Sequence, residues 1–222
     1  MFDKILQYDT QLTLLLNGSE NQWLDQVALI STATVTWLPL AALLVYVLVR
    51  DNKWTNFLIV LLGIALAITL ADQMASGICK PLVARLRPTQ DPALAHVIDI
   101  VGDYRGGRYG FFSSHAANTC AVATFLAFLF RNRALTIALY SWALLNCWTR
   151  VYLGVHYVGD LLVGVLWGLF VGWVVYKLAN MCFHKFAPQN FLQVYNRERA
   201  FLMVAGILLS YIGIIVIAFF KA

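Results

Sequence analysis

The segment Thr149 to Asp160 reads T-R-V-Y-L-G-V-H-Y-V-G-D and places a guanidinium, an imidazole and a carboxylate between two long apolar runs. Ionisable groups are costly in such surroundings and mark sites of function. With a helix starting near His156, His156 and Asp160 stand at i and i+4 on one face, the spacing a carboxylate needs to orient an imidazole and stabilise its charged form. Two further polar clusters interrupt the apolar pattern: K-P-L-V-A-R-L-R-P from Lys80 to Pro88, and F-F-S-S-H from Phe111 to His115. Lys80, Arg87 and Arg150 offer three cations, and guanidinium groups grip phosphate oxygens in bidentate fashion. Ser113 and Ser114 stand where an apolar run begins, so their hydroxyls and the free amides of a helix start suit an anion. Two histidines, His115 and His156, with one carboxylate, Asp160, supply among them a nucleophile, an orienting group and an acid. The set implies phosphoryl transfer without a metal or cofactor.

Taken singly, each cluster has a plainer explanation. Lys80 reads as a snorkelling anchor at the end of a span, His115 as part of an N-cap region, and His156 as a satisfied interfacial histidine. Their convergence on one side of a membrane favours chemistry. His96 and His184 have no such company and read as loop residues.

That convergence depends on the elements between them. Of 222 residues, 61% are hydrophobic and 12% charged, too apolar a balance for a soluble domain. The sequence predicts an all-α polytopic membrane protein with one domain over residues 1–222. Phe2, Ile5, Leu6, Leu12, Leu15 and Leu16 recur at helical spacing among polar residues, predicting a short amphipathic N-terminal helix in the membrane interface. Six apolar runs of spanning length follow, at about 27–49, 55–79, 114–130, 134–153, 157–178 and 200–220. Ser31, Thr32, Thr34 and Thr36 in the first read as hydroxyls bonded back to the helix or across to a neighbour. Asp72, Ser76 and Lys80 form a polar face in the second, where Asp72 either tunes Lys80 or satisfies another partner. Gly164, Gly168 and Gly172 form a close-packing surface in the fifth. No cleavable signal peptide is evident.

Six spans put both termini and all three clusters on one side. Lysines and arginines number eight on each side; setting aside Lys80, Arg85, Arg87 and Arg150, which have another role, leaves four against eight. The positive-inside rule then places the short loops in the cytoplasm and the site on the periplasmic or extracellular face of the cytoplasmic (inner) membrane. The net charge of +5 is scattered, without the basic stripe that nucleic-acid binding requires. Cys79, Cys120, Cys147 and Cys182 lack C-x-x-C spacing and read as buried free thiols.

The chain resembles the type 2 phosphatidic acid phosphatases, membrane lipid phosphatases with the signature K-x6-R-P, P-S-G-H and S-R-x5-H-x3-D. Lys80 to Pro88 fits the first part in full. Ser113-Ser114-His115 fits the second with Phe112 for Pro and Ser114 for Gly, and Thr149 to Asp160 fits the third with Thr for Ser. Order and spacing hold across residues 80–160. The resemblance implies attack on phosphorus by His156, polarised by Asp160, to give a phosphohistidine. It implies leaving-group protonation by His115, and charge neutralisation by Lys80, Arg87 and Arg150 with Ser113 and Ser114 as donors. Thr149 keeps a hydroxyl, whereas Ser114 adds a side chain where glycine is common, which puts the shape of the phosphate pocket in question.

The substrates expected on this reading are membrane lipid phosphates: undecaprenyl diphosphate, lipid A phosphate or phosphatidylglycerol phosphate. The sequence does not choose among them and leaves the oligomeric state open. A phosphotransferase passing phosphate to another lipid is an alternative. An anion transporter would need ionisable groups deep in several spans, and only Asp72 lies so. The long spans argue against a soluble vanadate-dependent haloperoxidase, which shares the signature. The loop from Pro88 to Phe111, with Arg105 and Arg108 among glycines and tyrosines, reads either as a contact for a lipid headgroup or as a solvated loop.

Overall fold

The structure, a computed structural model, describes residues 2–50, 53–186 and 197–222. Among these the regular structure is helical, apart from one antiparallel bridge between Leu86 and Tyr109. Helix α1 is Phe2–Leu16 and α2 is Gln22–Thr32, started by the Asn21 side chain, which accepts from the amides of Trp23 and Leu24. A 3-10 turn, Thr34–Trp37, leads into α3, Leu38–Val49. The first predicted span is therefore not straight: the axis turns by 70° at Ala33. Thr36 closes the bend by donating to Ile30 O at 2.6 Å, and the Trp37 indole donates to Ser31 O at 2.8 Å.

Helix α4, Trp54–Asp72, is continuously apolar from Phe57 to Ile68, as a lipid-embedded helix must be over most of its length. It widens into a π-helical stretch over Gln73–Cys79 and continues as α5, Lys80–Val83. Wide turns of this kind concentrate near functional sites. Helices α6 (Ser114–Phe130), α7 (Arg133–Tyr152), α8 (Val158–Phe186) and α9 (Arg197–Lys221) complete the bundle.

Three helices, Trp54–Val83, Val158–Phe186 and Arg197–Lys221, are long and apolar enough to cross a bilayer, and the bent pair Gln22–Thr32 with Thr34–Val49 adds a fourth when taken as one crossing. The chain is a multi-pass membrane protein. Helix α6 is apolar but has 17 residues, and α7 carries Ser141, Asn146, Thr149 and Arg150 along its 20.

The centre of the bundle is the packing of α6 against α8. Its closeness follows from the glycine stripe: a Cβ on Gly164 would lie 2.6 Å from Ser113 O, one on Gly172 would lie 2.5 Å from Ala121 O, and one on Gly168 would strike Ala117 O. Without side chains at these positions, α8 lies directly on the backbone of α6, where dispersion replaces the hydrophobic drive that lipid cannot supply. On its other side α6 meets α4, where the buried Phe125 ring sits over Gly63. This packing fixes the starts of α6 and α8, the two places from which the polar clusters project.

Candidate active site

Ser113 is the N-cap of α6: its hydroxyl accepts from Ala116 N at 3.4 Å, and its own amide donates to Asp160 O at 3.1 Å. The starts of α6 and α8 are thereby joined by backbone. The amides of Ser114 and His115 precede the first intrahelical bond, Ala117 N to Ser113 O, so they face the position an anion would take at a helix start.

Helix α8 starts at Val158, two residues later than the sequence suggests, which leaves His156 in the preceding turn. The expected pair forms nonetheless, because Asp160 folds back over the helix start. Its Oδ2 accepts from Tyr157 N at 3.2 Å and lies 3.3 Å from His156 Nδ1. The turn itself is set by α7, where Arg150 O accepts from the amides of both Val155 (3.1 Å) and His156 (3.2 Å). Gly154 makes it possible with φ +64° in crowded surroundings, where a Cβ would press on Asn17 and Ile98. His156 and Asp160 are 1% and 0% exposed. Burial first, then Arg87, Arg150 and Lys80, holds the His156 imidazole well below the usual histidine range. A neutral ring with Nδ1 directed to a carboxylate leaves Nε2 as its nucleophilic nitrogen.

The three cations are held by different means. Lys80 donates to Ser76 Oγ at 3.0 Å and to Ser114 Oγ at 3.1 Å, and Ser76 in turn donates to Asp72 at 3.3 Å. Asp72 thus communicates with Lys80 through Ser76. The side chain that departs from the family's glycine, Ser114, is engaged in holding the lysine. Buried Arg87 donates through Nε to Tyr109 O (3.1 Å) and through Nη1 to Val155 O (3.2 Å), closing the loop over the histidine turn. Gly110 permits this closure, since a Cβ there would lie 2.9 Å from Asp160 Oδ2. Arg150, 2% exposed, donates to Thr32 Oγ1 at the end of α2 and to Tyr104 OH at 3.3 Å, while its Nε has no hydrogen-bond partner among the described residues. His115 lies within electrostatic reach of Arg150, His156, Arg87 and Lys80. All eight residues singled out from the sequence are therefore brought to one end of the bundle. Among the described residues no group of three or more His, Cys, Asp or Glu side chains is arranged to hold a metal.

Several participants lie outside that set. Arg85 bridges Asp160 Oδ1 at 3.1 Å and Asp9 Oδ2 at 2.8 Å. Its position inside the first motif was the available signal. Thr32 and Tyr104 hold Arg150, and nothing in their local sequence pairs them with it. Tyr157 donates to Asp91 at 3.1 Å. The loop after Pro88 is therefore not simply solvated: Thr89 donates to Gly154 O and to Arg105 O, and Tyr104 reaches the site. Arg105, Arg108, His96 and His184 are exposed, His184 within α8 where a loop was expected, and Cys182 is exposed where a buried thiol was expected.

The sequence pattern of the PAP2 superfamily matches residues 56–184. The chain belongs to the PAP2 superfamily. Relatives within it include the lipid A 4'-phosphatase of Bacteroides thetaiotaomicron, 42% identical over 181 residues that cover 81% of this chain and 80% of the relative. The lipid A 4'-phosphatase of Porphyromonas gingivalis is 33% identical over 174 residues, covering 78% and 74%. The PAP2 fold is also that of a crystal structure, the transmembrane PAP2-type phosphatidylglycerolphosphate phosphatase from Bacillus subtilis. It superposes with a TM-score of 0.60 at 21% identity, over 80% of this chain and 87% of that one.

Proposed function

We propose that this chain hydrolyses the 4'-phosphate of lipid A through a phosphohistidine at His156. That it is a phosphatase acting on lipid phosphates follows from its superfamily and its relatives. The choice of lipid A over undecaprenyl diphosphate or phosphatidylglycerol phosphate rests on the 42% identical relative. The mechanism rests on one observation: neutral, buried His156 has its Nδ1 on Asp160 and three cations around it.

In the first step His156 Nε2 forms a bond to phosphorus as the P–O bond to the sugar breaks, and His115, carrying a proton taken up with the bound phosphate, delivers it to the leaving oxygen. Asp160 stabilises the positive charge that develops on the His156 ring. In the second step water attacks the phosphohistidine, giving its proton to His115, and inorganic phosphate leaves with His156 restored. Lys80, Arg87 and Arg150, with Ser113 and the Ser114 amide as further donors, stabilise charge on the transferring group. This cationic cradle does the work a metal does in other phosphatases, so the reaction is metal-independent.

The architecture proposed is a single domain of six spans, with α6 and α7 as crossings, α1 in the interface and the site on the outer face of the inner membrane. The test is phosphate release by detergent-purified protein, with a chelator present, from lipid A, undecaprenyl diphosphate and phosphatidylglycerol phosphate. Release from lipid A that His156→Ala abolishes supports the reading. Transfer to a lipid acceptor without free phosphate would instead establish a phosphotransferase.

A further inference from the structure

Helix α1 is amphipathic with its apolar side turned outward. Ile5, Leu12, Leu15 and Leu16 are exposed, whereas Thr13 is fully buried. The polar side meets α8. Asp9 Oδ1 accepts from Gly159 N at 2.7 Å and Thr13 Oγ1 accepts from Val158 N at 3.1 Å, so the first two amides of α8 are capped by another helix. Tyr157, which precedes them, has no short side-chain oxygen to do this. The far end of α1 is fixed as well: Asn17 donates to Tyr152 O at 2.9 Å and to Asp99 O at 3.0 Å, and Gly18 N donates to Tyr152 O at 2.9 Å.

The second oxygen of Asp9 carries the larger consequence. Arg85, stacked 3.6 Å over the Tyr157 ring, divides its guanidinium between Asp9 and Asp160. Asp160 in turn meets His156 Nδ1. Four groups of alternating role thus form a line, Asp9, Arg85, Asp160, His156. Were Arg85 to face Asp160 alone, the pair would be neutral and a poor partner for the positive ring of a phosphorylated histidine. Asp9 draws on the same guanidinium and restores a net negative charge behind the ring. The charged groups that act most strongly on the ring, Arg87, Arg150 and Lys80, are cations, and the nearby Asp91 carboxylate is engaged by the Tyr157 hydroxyl. Asp9 is the acidic counterweight contributed from α1.

Building on the proposed mechanism, we propose that Asp9 is a positioning residue of the hydrolytic reaction, acting through Arg85 on Asp160, so that α1 is part of the catalytic apparatus as well as a surface for lipid.

Two variants separate charge from capping. Asp9→Asn keeps an oxygen for the Gly159 amide and removes the charge; Asp9→Glu keeps the charge. The readouts are kcat and KM for phosphate release from lipid A, the affinity for orthovanadate as a phosphate analogue measured by titration calorimetry, and the Tm. The expected result is a kcat lowered about 10- to 100-fold in Asp9→Asn, orthovanadate bound about tenfold more weakly, and KM and Tm little changed. Most of the kcat should return in Asp9→Glu. Wild-type kcat and orthovanadate affinity in Asp9→Asn would overturn the proposal, whether or not the Tm falls. Orthovanadate binding without turnover of lipid A would overturn the substrate assignment alone, and the two variants would then be compared by orthovanadate affinity. A wild-type protein that neither binds orthovanadate nor releases phosphate would overturn both.

Discussion

The ammonium of Lys80 donates to the hydroxyl of Ser114 at 3.1 Å, joining the end of the α4–α5 rod to the start of α6. The serine that replaces the family's glycine is thus a partner of Lys80, the cation proposed to bind phosphate. Because Lys80 keeps Ser76 as a second partner, Ser114→Gly is expected to hold kcat within about threefold of wild type. Lys80→Ala removes a charge from the transferring phosphate and is expected to lower kcat by about 10²-fold or more. Steady-state kinetics on the two variants checks this, and equal losses would contradict it.

Arg150 is steered by Thr32 from the end of α2 and by Tyr104 from the loop. A hydrogen bond to a charged group contributes about 1.5–3 kcal/mol. Thr32→Val is therefore expected to lower kcat/KM about tenfold while Thr32→Ser stays near wild type. Unchanged kinetics in Thr32→Val would remove Thr32 from the site.

The α6–α8 contact makes a prediction about stability. A side chain at Gly168 meets the Ala117 backbone, whereas one at Gly213 meets nothing within 4 Å. Gly168→Val is expected to destabilise by about 1–3 kcal/mol or to prevent folding, while Gly213→Ala is tolerated. Thermal unfolding in detergent, or the yield of monodisperse protein, measures both.

The neutral state of His156 links stability to pH. Its folded pKa lies below the unfolded value of about 6.5, so its contribution is complete above that pH. As pH falls below about 6.5 the unfolded chain takes up a proton that the folded site refuses, and stability is lost at up to about 1.4 kcal/mol per pH unit. His156→Asn is expected to flatten this fall between pH 6.5 and 5. Parallel Tm curves for wild type and variant would contradict it.

The eight candidate residues could be singled out because their chemistry is local in sequence: each motif carries its own spacing, and the structure brings the three motifs to one end of the bundle. The glycine stripe was legible for the same reason, since a four-residue period is a helix surface. What local pattern does not encode is tertiary partnership. Thr32 looked like an ordinary span hydroxyl because its partner Arg150 lies 118 residues away. Asp9 looked like one polar residue on an interfacial helix because amphipathicity gives a direction but no neighbour. The bend at Ala33 falls among Ser31, Thr32, Thr34 and Thr36, which read as hydroxyls bonded along or between straight helices; hydropathy reports length and is blind to the Thr36 to Ile30 bond that closes the turn. Local periodicity likewise started α8 too early, because Asp160 and the α1 side chains cap it at Val158.

The proposed covalent intermediate can be sought directly. Protein mixed with lipid A carrying ³²P at the 4' position is quenched in base during turnover and digested. A phosphohistidine at His156 gives an acid-labile, base-stable label on the peptide containing that residue, absent from His156→Ala. Undiminished turnover by His156→Ala, or label on a different residue, would contradict it.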